Sequence, residues 1–79
     1  MTYEHFLKVL GQNIYQTRFE AGLTQQQLAD KIGVHVVYLC KVETASAKKN
    51  PSLKFLWDVT EELNVTLSWL CEEHAKEKH

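Results

Sequence analysis

The stretch from Gln25 to Glu43 (QQQLADKIGVHVVYLCKVE) limits the folds open to this chain more than any other feature. Its apolar side chains fall at Leu28, Ile32, Val34, Leu39 and Val42, and small Ala29 is followed four positions on by Gly33. That spacing predicts two short helices crossing steeply through a tight turn. Ala29 gives room where the helices touch, and Gly33 tolerates the positive φ that the turn needs. The five apolar side chains seat both helices on one core, so the outer face of the second helix stays free.

The flanking residues continue the helical pattern. Phe6, Leu7, Leu10 and Ile14 recur at helical spacing and predict a helix over about residues 3–21, closed near Gly22. Thr24 and Gln27 form a capping-box pattern ahead of the second helix, which carries Leu28 and Ile32 inward. The third helix runs from about His35 to Glu43, with Leu39 and Val42 buried, and the alanines beyond Glu43 could lengthen it. Pro51-Ser52 marks a fresh start, because proline disfavours helix in the residue before it and serine caps well. Leu53, Leu56, Val59 and Leu63 form the apolar stripe of a fourth helix that Asn64 can close. Thr66 caps a fifth, with Leu67 and Leu70 facing in. One proline and three glycines in 79 residues agree with an all-α chain. The expectation is a single five-helix domain over residues 1–79, with a core from about 6 to 71 and a polar tail from 72.

Composition removes several classes of function. A chain of 79 residues buries a thin core, and dimerisation is one way to add burial. No stretch approaches the ~18 apolar residues of a membrane span, and charges interrupt the apolar N-terminus, so no secretory signal is expected there. Cys40 and Cys71 lack CxxC spacing and read as reduced thiols, with the cytoplasm as the expected location. Cys71 and His74 lie one helical turn apart, with His79 beyond, but a closed zinc site takes four ligands and nothing nearby completes it. No nucleophile–base set, carboxylate pair or phosphate-cradling glycine loop is visible. The expectation is therefore a non-enzyme without metal or cofactor. Net charge is −1, unevenly placed. Lys31, Lys41, Lys48, Lys49 and Lys54 make the middle mildly basic, while Glu61, Glu62, Glu72, Glu73 and Glu77 make the C-terminal part acidic.

Gly22-Leu23-Thr24-Gln25, Leu28-Ala29, Ile32-Gly33-Val34, Tyr38-Leu39, Glu43 and Pro51-Ser52-Leu53 together resemble the Cro-type phage-repressor (XRE) family of helix-turn-helix proteins. The resemblance runs from about Leu10 to Leu70. It implies a five-helix lambda-repressor-like domain with double-stranded DNA as partner. Small members of the family include phage repressors and controllers of restriction–modification operons. By the resemblance, Thr24 and Gln25 at the start of the second helix contact phosphate, and Lys48 and Lys49 either do the same or belong to an ordinary solvated loop. His35, Val36, Val37 and Lys41 occupy the positions that read base edges. Arg18 and Glu43 match a buried ion pair tying the first helix to the end of the third, the alternative being two unrelated surface charges. Val36 and Val37 stand where relatives carry polar readers. They can press on thymine methyl groups, or they can be core residues. The link from Glu43 to Pro51 is longer than usual, and Thr17 lies where an apolar residue is typical.

Phe55, Trp57 and Trp69 flank the predicted stripes. They either fill the core or form an aromatic patch against a second subunit, since aromatic residues are enriched in interface cores. With the patch, the expectation is a homodimeric regulator of a palindromic operator. Its two recognition helices would enter successive major grooves about 34 Å apart, and the bound dimer would block RNA polymerase or recruit it. The alternative is a protein-interaction module, an antirepressor or adaptor that keeps the fold without binding DNA.

Overall fold

Capping side chains set where each helix begins. The computed structural model describes residues 1–46 and 50–74. Among them are five helices and no strand: α1 (Tyr3–Glu20), α2 (Gln25–Ile32), α3 (Val36–Glu43), α4 (Leu53–Leu63) and α5 (Leu67–Cys71). Thr2, Thr24, His35, Ser52 and Thr66 are the N-caps, and each side chain accepts a backbone N–H of its own first turn. At α2 the capping box is complete, with Thr24 and Gln27 bonding reciprocally. Gly33 ends α2 at φ 74°, a left-handed turn that a side chain would strain.

The first helix forms the frame. α1 packs on α3 and α5, while α2 packs on α3 and α4. The core they enclose includes Leu10, Ile14, Leu28, Ala29, Leu39, Val42, Phe55, Val59, Leu63 and Leu70. Gly11 sits mid-helix on α1 because the C-terminal end of α3 comes very close. A Cβ there would meet the Val42 carbonyl oxygen at 2.5 Å and that of Glu43 at 2.6 Å. Both are backbone atoms, so neither can swing away. The missing side chain thus fixes how near the third helix stands to the first.

Three expectations are corrected. Ala45 does not lengthen α3, and Ala47 lies outside the described residues. Ala45 takes φ 57°, and the amides of Ala45 and Ser46 fold back onto the carbonyls of Val42 and Lys41, which closes the helix. On α4 the buried face is not led by Leu53, which is 71% exposed, but by Phe55, at 3%. The Phe55 ring meets Tyr38 edge-on, with centroids 5.0 Å apart. That contact rotates α4 so that Phe55, Val59 and Leu63 point inward. On α5, Leu70 is buried but Leu67 is 41% exposed.

α5 has only five residues and is held from outside. The buried Asn13 side chain of α1 donates to the carbonyls of Leu70 and Glu72, both at 2.8 Å, and at longer range to Trp69. The Leu70 carbonyl is one that the end of a helix leaves without an internal partner, and Glu72 is the residue that caps α5. The His74 ring stacks on Trp69, with centroids 4.1 Å apart, and closes the same corner.

Candidate nucleic-acid interface

The third helix divides cleanly into a buried edge and an outer one. Leu39, Val42 and Glu43 are buried, Val37 is 50% exposed, and Lys41 and Thr44 are exposed. Val36 is half-buried and packs partly against the core, so its outer side alone is available. His35 sits at the head of this helix, exposed, with Nδ1 accepting the Val37 N–H at 3.1 Å. An imidazole that accepts at Nδ1 carries its proton on Nε2, so the ring turns a hydrogen-bond donor outward. Cys40 is half-buried on the same outer edge, one helical turn after Val36. Cys40 and Thr44 escaped the sequence reading, although the i, i+4, i+8 spacing from Val36 points to both.

What keeps this edge turned outward is a buried polar cluster beneath it. Arg18 of α1 donates from Nε to Glu43 Oε2 at 2.8 Å and from Nη2 to Glu43 Oε1 at 3.1 Å. Its Nη1 donates to the Leu23 carbonyl at 2.7 Å, and the Tyr15 ring covers the guanidinium at 5.1 Å. Both charged side chains are buried. A two-pronged arginine–carboxylate contact holds angle as well as distance, so the end of α3 cannot roll against α1.

The start of α2 lies in the same assembly. Thr24 spends its hydroxyl oxygen on the cap, which leaves the hydroxyl proton free to donate. The helix N-terminus adds amide groups suited to an anion. Gln25 is half-buried, and its Nε2 donates to Glu43 Oε1 at 3.0 Å. Sequence reasoning placed Gln25 near phosphate but missed this contact, which no local pattern encodes. Lys48 and Lys49 lie outside the described residues.

Of the three aromatics expected at a dimer surface, only Trp57 is well exposed, at 60%. Phe55 belongs to the protomer's own core and leaves the interface set, because Tyr38 and the core already cover it. Trp69 is half-buried between the core and His74. Leu53, one turn before Trp57 on α4, joins it on the exposed face, and Leu67 is exposed on α5. Among the described residues no group of three His, Cys, Asp or Glu side chains is arranged to hold a metal. None of their helices is long and apolar enough to cross a membrane.

This arrangement, two capped helices about a left-handed glycine with the second braced from behind, has known counterparts. Residues 14–70 match the family described as Helix-turn-helix. The chain belongs to the XRE-type helix-turn-helix family. That family is one of transcriptional regulators, not of enzymes. The chain is 38% identical over 65 residues to the HTH-type transcriptional regulator SinR of Bacillus subtilis (strain 168). The match covers 82% of this chain and 58% of SinR, so the chain spans little more than half of that relative. The crystal structure of SinR in complex with DNA, described as the master regulator for biofilm formation, is similar, with a TM-score of 0.74 and 38% identity. It covers 80% of this chain and 98% of that one. The restriction-modification controller protein C.AhdI from Aeromonas hydrophila has a TM-score of 0.74 at 28% identity, covering 81% of this chain and 94% of its own.

Proposed function

We propose that this chain is a cytoplasmic, sequence-specific DNA-binding transcriptional regulator that grips a palindromic operator as a homodimer. One observation carries the reading: α3 has its inner edge locked by the Arg18–Glu43 pair while Val37 and Lys41 face outward beside the His35 donor. Such a helix can lie in a major groove without moving its support. His35 and Lys41 supply hydrogen-bond donors suited to guanine O6 and N7, and Val37, with the outer side of Val36, supplies apolar contact for thymine methyl groups. Thr24 and Gln25 take phosphate at the N-terminus of α2, and Lys48 and Lys49 serve the same backbone.

The dimer surface in this reading is the exposed apolar face of Leu53 and Trp57 on α4, with Leu67 and Trp69 of α5 beside it. Symmetry doubles every DNA contact, which offsets the net charge of −1 on each subunit. Occupancy of a promoter would then exclude RNA polymerase or help it to bind.

Selection of duplexes from random DNA, followed by titration at several salt concentrations, tests this directly. A palindromic consensus and an affinity that falls steeply as salt rises are expected, through counterion release. No saturable complex at low salt would refute the reading and favour a protein-interaction module. Lys41→Ala should cost about 1–3 kcal/mol and relax preference at one operator position. Trp57→Glu should convert a dimer to a monomer in sedimentation, and an unchanged mass would remove α4 from the interface.

A further inference from the structure

We propose that Glu43 is a positioning residue for the phosphate contact of Gln25, in addition to being half of the ion pair with Arg18. The inference rests on the reading above that Gln25 meets phosphate, and it adds what aims that side chain.

The argument begins with the number of bonds at one carboxylate. Glu43 is buried and accepts three hydrogen bonds, two from Arg18 and one from Gln25 Nε2 at 3.0 Å. A carboxylate only accepts, whereas a glutamine amide has a donating nitrogen side and an accepting oxygen side. The contact therefore decides which way the Gln25 amide faces: its NH2 group turns to Glu43 and its carbonyl oxygen turns away. One Nε2 proton is used, and the second stays on the same nitrogen, available to an acceptor. A phosphate oxygen is also only an acceptor, so the orientation that satisfies Glu43 also serves DNA. Without the carboxylate the amide is free to flip, and its oxygen would repel the phosphate in the flipped state.

Charge makes the arrangement workable. An unpaired carboxylate beside a phosphate path would oppose binding. Arg18 neutralises it with two hydrogen bonds and leaves Oε1 with capacity for Gln25. Arg18 thus balances the charge, Glu43 sets the amide, and Gln25 donates. The same carboxylate ends α3, so the phosphate grip of α2 and the reading edge of α3 are referenced to a single buried group.

A double-mutant cycle on the full chain tests this, using a random-sequence duplex of about 30 base pairs, long enough for two half-sites a helical turn apart. Gln25→Ala should weaken binding about tenfold, the scale of one hydrogen bond to a charged group. In the Glu43→Gln background the same change should cost much less. An equal loss in both backgrounds overturns the inference while leaving the phosphate role of Gln25 intact. No loss in the parent chain removes that phosphate role, and the inference with it. A carboxylate with a purely structural role would lower thermal stability without producing this coupling. Should Glu43→Gln fail to fold, the parent protein still decides. One Gln25 side-chain amide proton should resonate downfield and exchange more slowly than those of exposed Gln12, and indistinguishable behaviour of the two amides overturns the proposal.

Discussion

The α2–α3 pair and the α4–α5 pair solve the same problem, fixing a short helix, with opposite materials. α3 is held by a buried bidentate ion pair, a glutamine amide and a backbone approach at Gly11. α5 is held by one asparagine grasping its terminal carbonyls and by aromatic stacking. A buried bidentate ion pair fixes angle as well as distance, whereas bonds from a single amide nitrogen beside a stacked ring leave a helix more freedom to turn. Directional control sits where a helix must present chosen side chains. The softer arrangement sits where an apolar face needs only to be available, at Leu53, Trp57 and Leu67.

The largest expected effect comes from breaking the directional half. Glu43→Ala leaves Arg18 charged and buried without a partner and should cost about 3–5 kcal/mol, read by denaturant unfolding. That is a large fraction of the stability of a small domain. Replacing both partners, as in Arg18→Met with Glu43→Leu, should restore stability close to the parent's or above it, yet DNA affinity should stay low. Recovery of both properties would show that direction was never the purpose of the pair.

Gly11→Ala comes next. Its Cβ meets only backbone atoms, so α1 and α3 must separate, at about 1–3 kcal/mol, with DNA binding weakened together with stability. A variant of unchanged melting temperature would mean that the approach of the two helices is looser than described. Asn13→Ala tests the other half. Losing its bonds to Leu70 and Glu72 should cost about 1–3 kcal/mol, and hydrogen exchange should rise in α5 while α3 keeps its protection. Equal rises in both would erase the distinction between the halves.

The smallest effect is chemical. Burial, helped by the adjacent Glu72 carboxylate, pushes the Cys71 thiol above its ordinary value. The folded state then holds that proton to higher pH than the unfolded state does. The resulting stability is present below the unfolded value and is lost as pH rises past it. Little thiolate exists at neutral pH, so alkylation of Cys71 should be slow until the protein unfolds. Rapid labelling at neutral pH would show that α5 is not seated.

The two halves also differed in how plainly the sequence announced them. Thr24 with Gln27, Gly33, Pro51-Ser52, Asn64 and Thr66 mark helix ends through local backbone chemistry, and the helices begin and end there. The α4 stripe was misread because two registers share Val59 and Leu63, and only a tertiary contact, Tyr38 on Phe55, chooses between them. Leu67 was misread because a helix of five residues is too short for periodicity to fix its inner side. In the candidate interface, exposure of Val37 and Lys41 followed from the helical register of Leu39 and Val42. The Gln25–Glu43 bond did not, since residues far apart in the chain meet there only once the turn has formed. Gly11 did leave a trace. A glycine inside a helix costs about 1 kcal/mol relative to alanine, a price that a close approach of backbone justifies.

The split of α3 into a locked inner edge and an unencumbered outer one makes the molecule retargetable. Substitutions at exposed Val37 and Lys41 leave Leu39, Val42 and Glu43 on their seats, so in the proposed reading operator preference can change there while the scaffold stays as it is. A handful of codon changes at Val37 and Lys41 would then move such a protein to a fresh promoter, whereas His35, which also caps α3, and Val36, which also packs on the core, would be held in place by the fold.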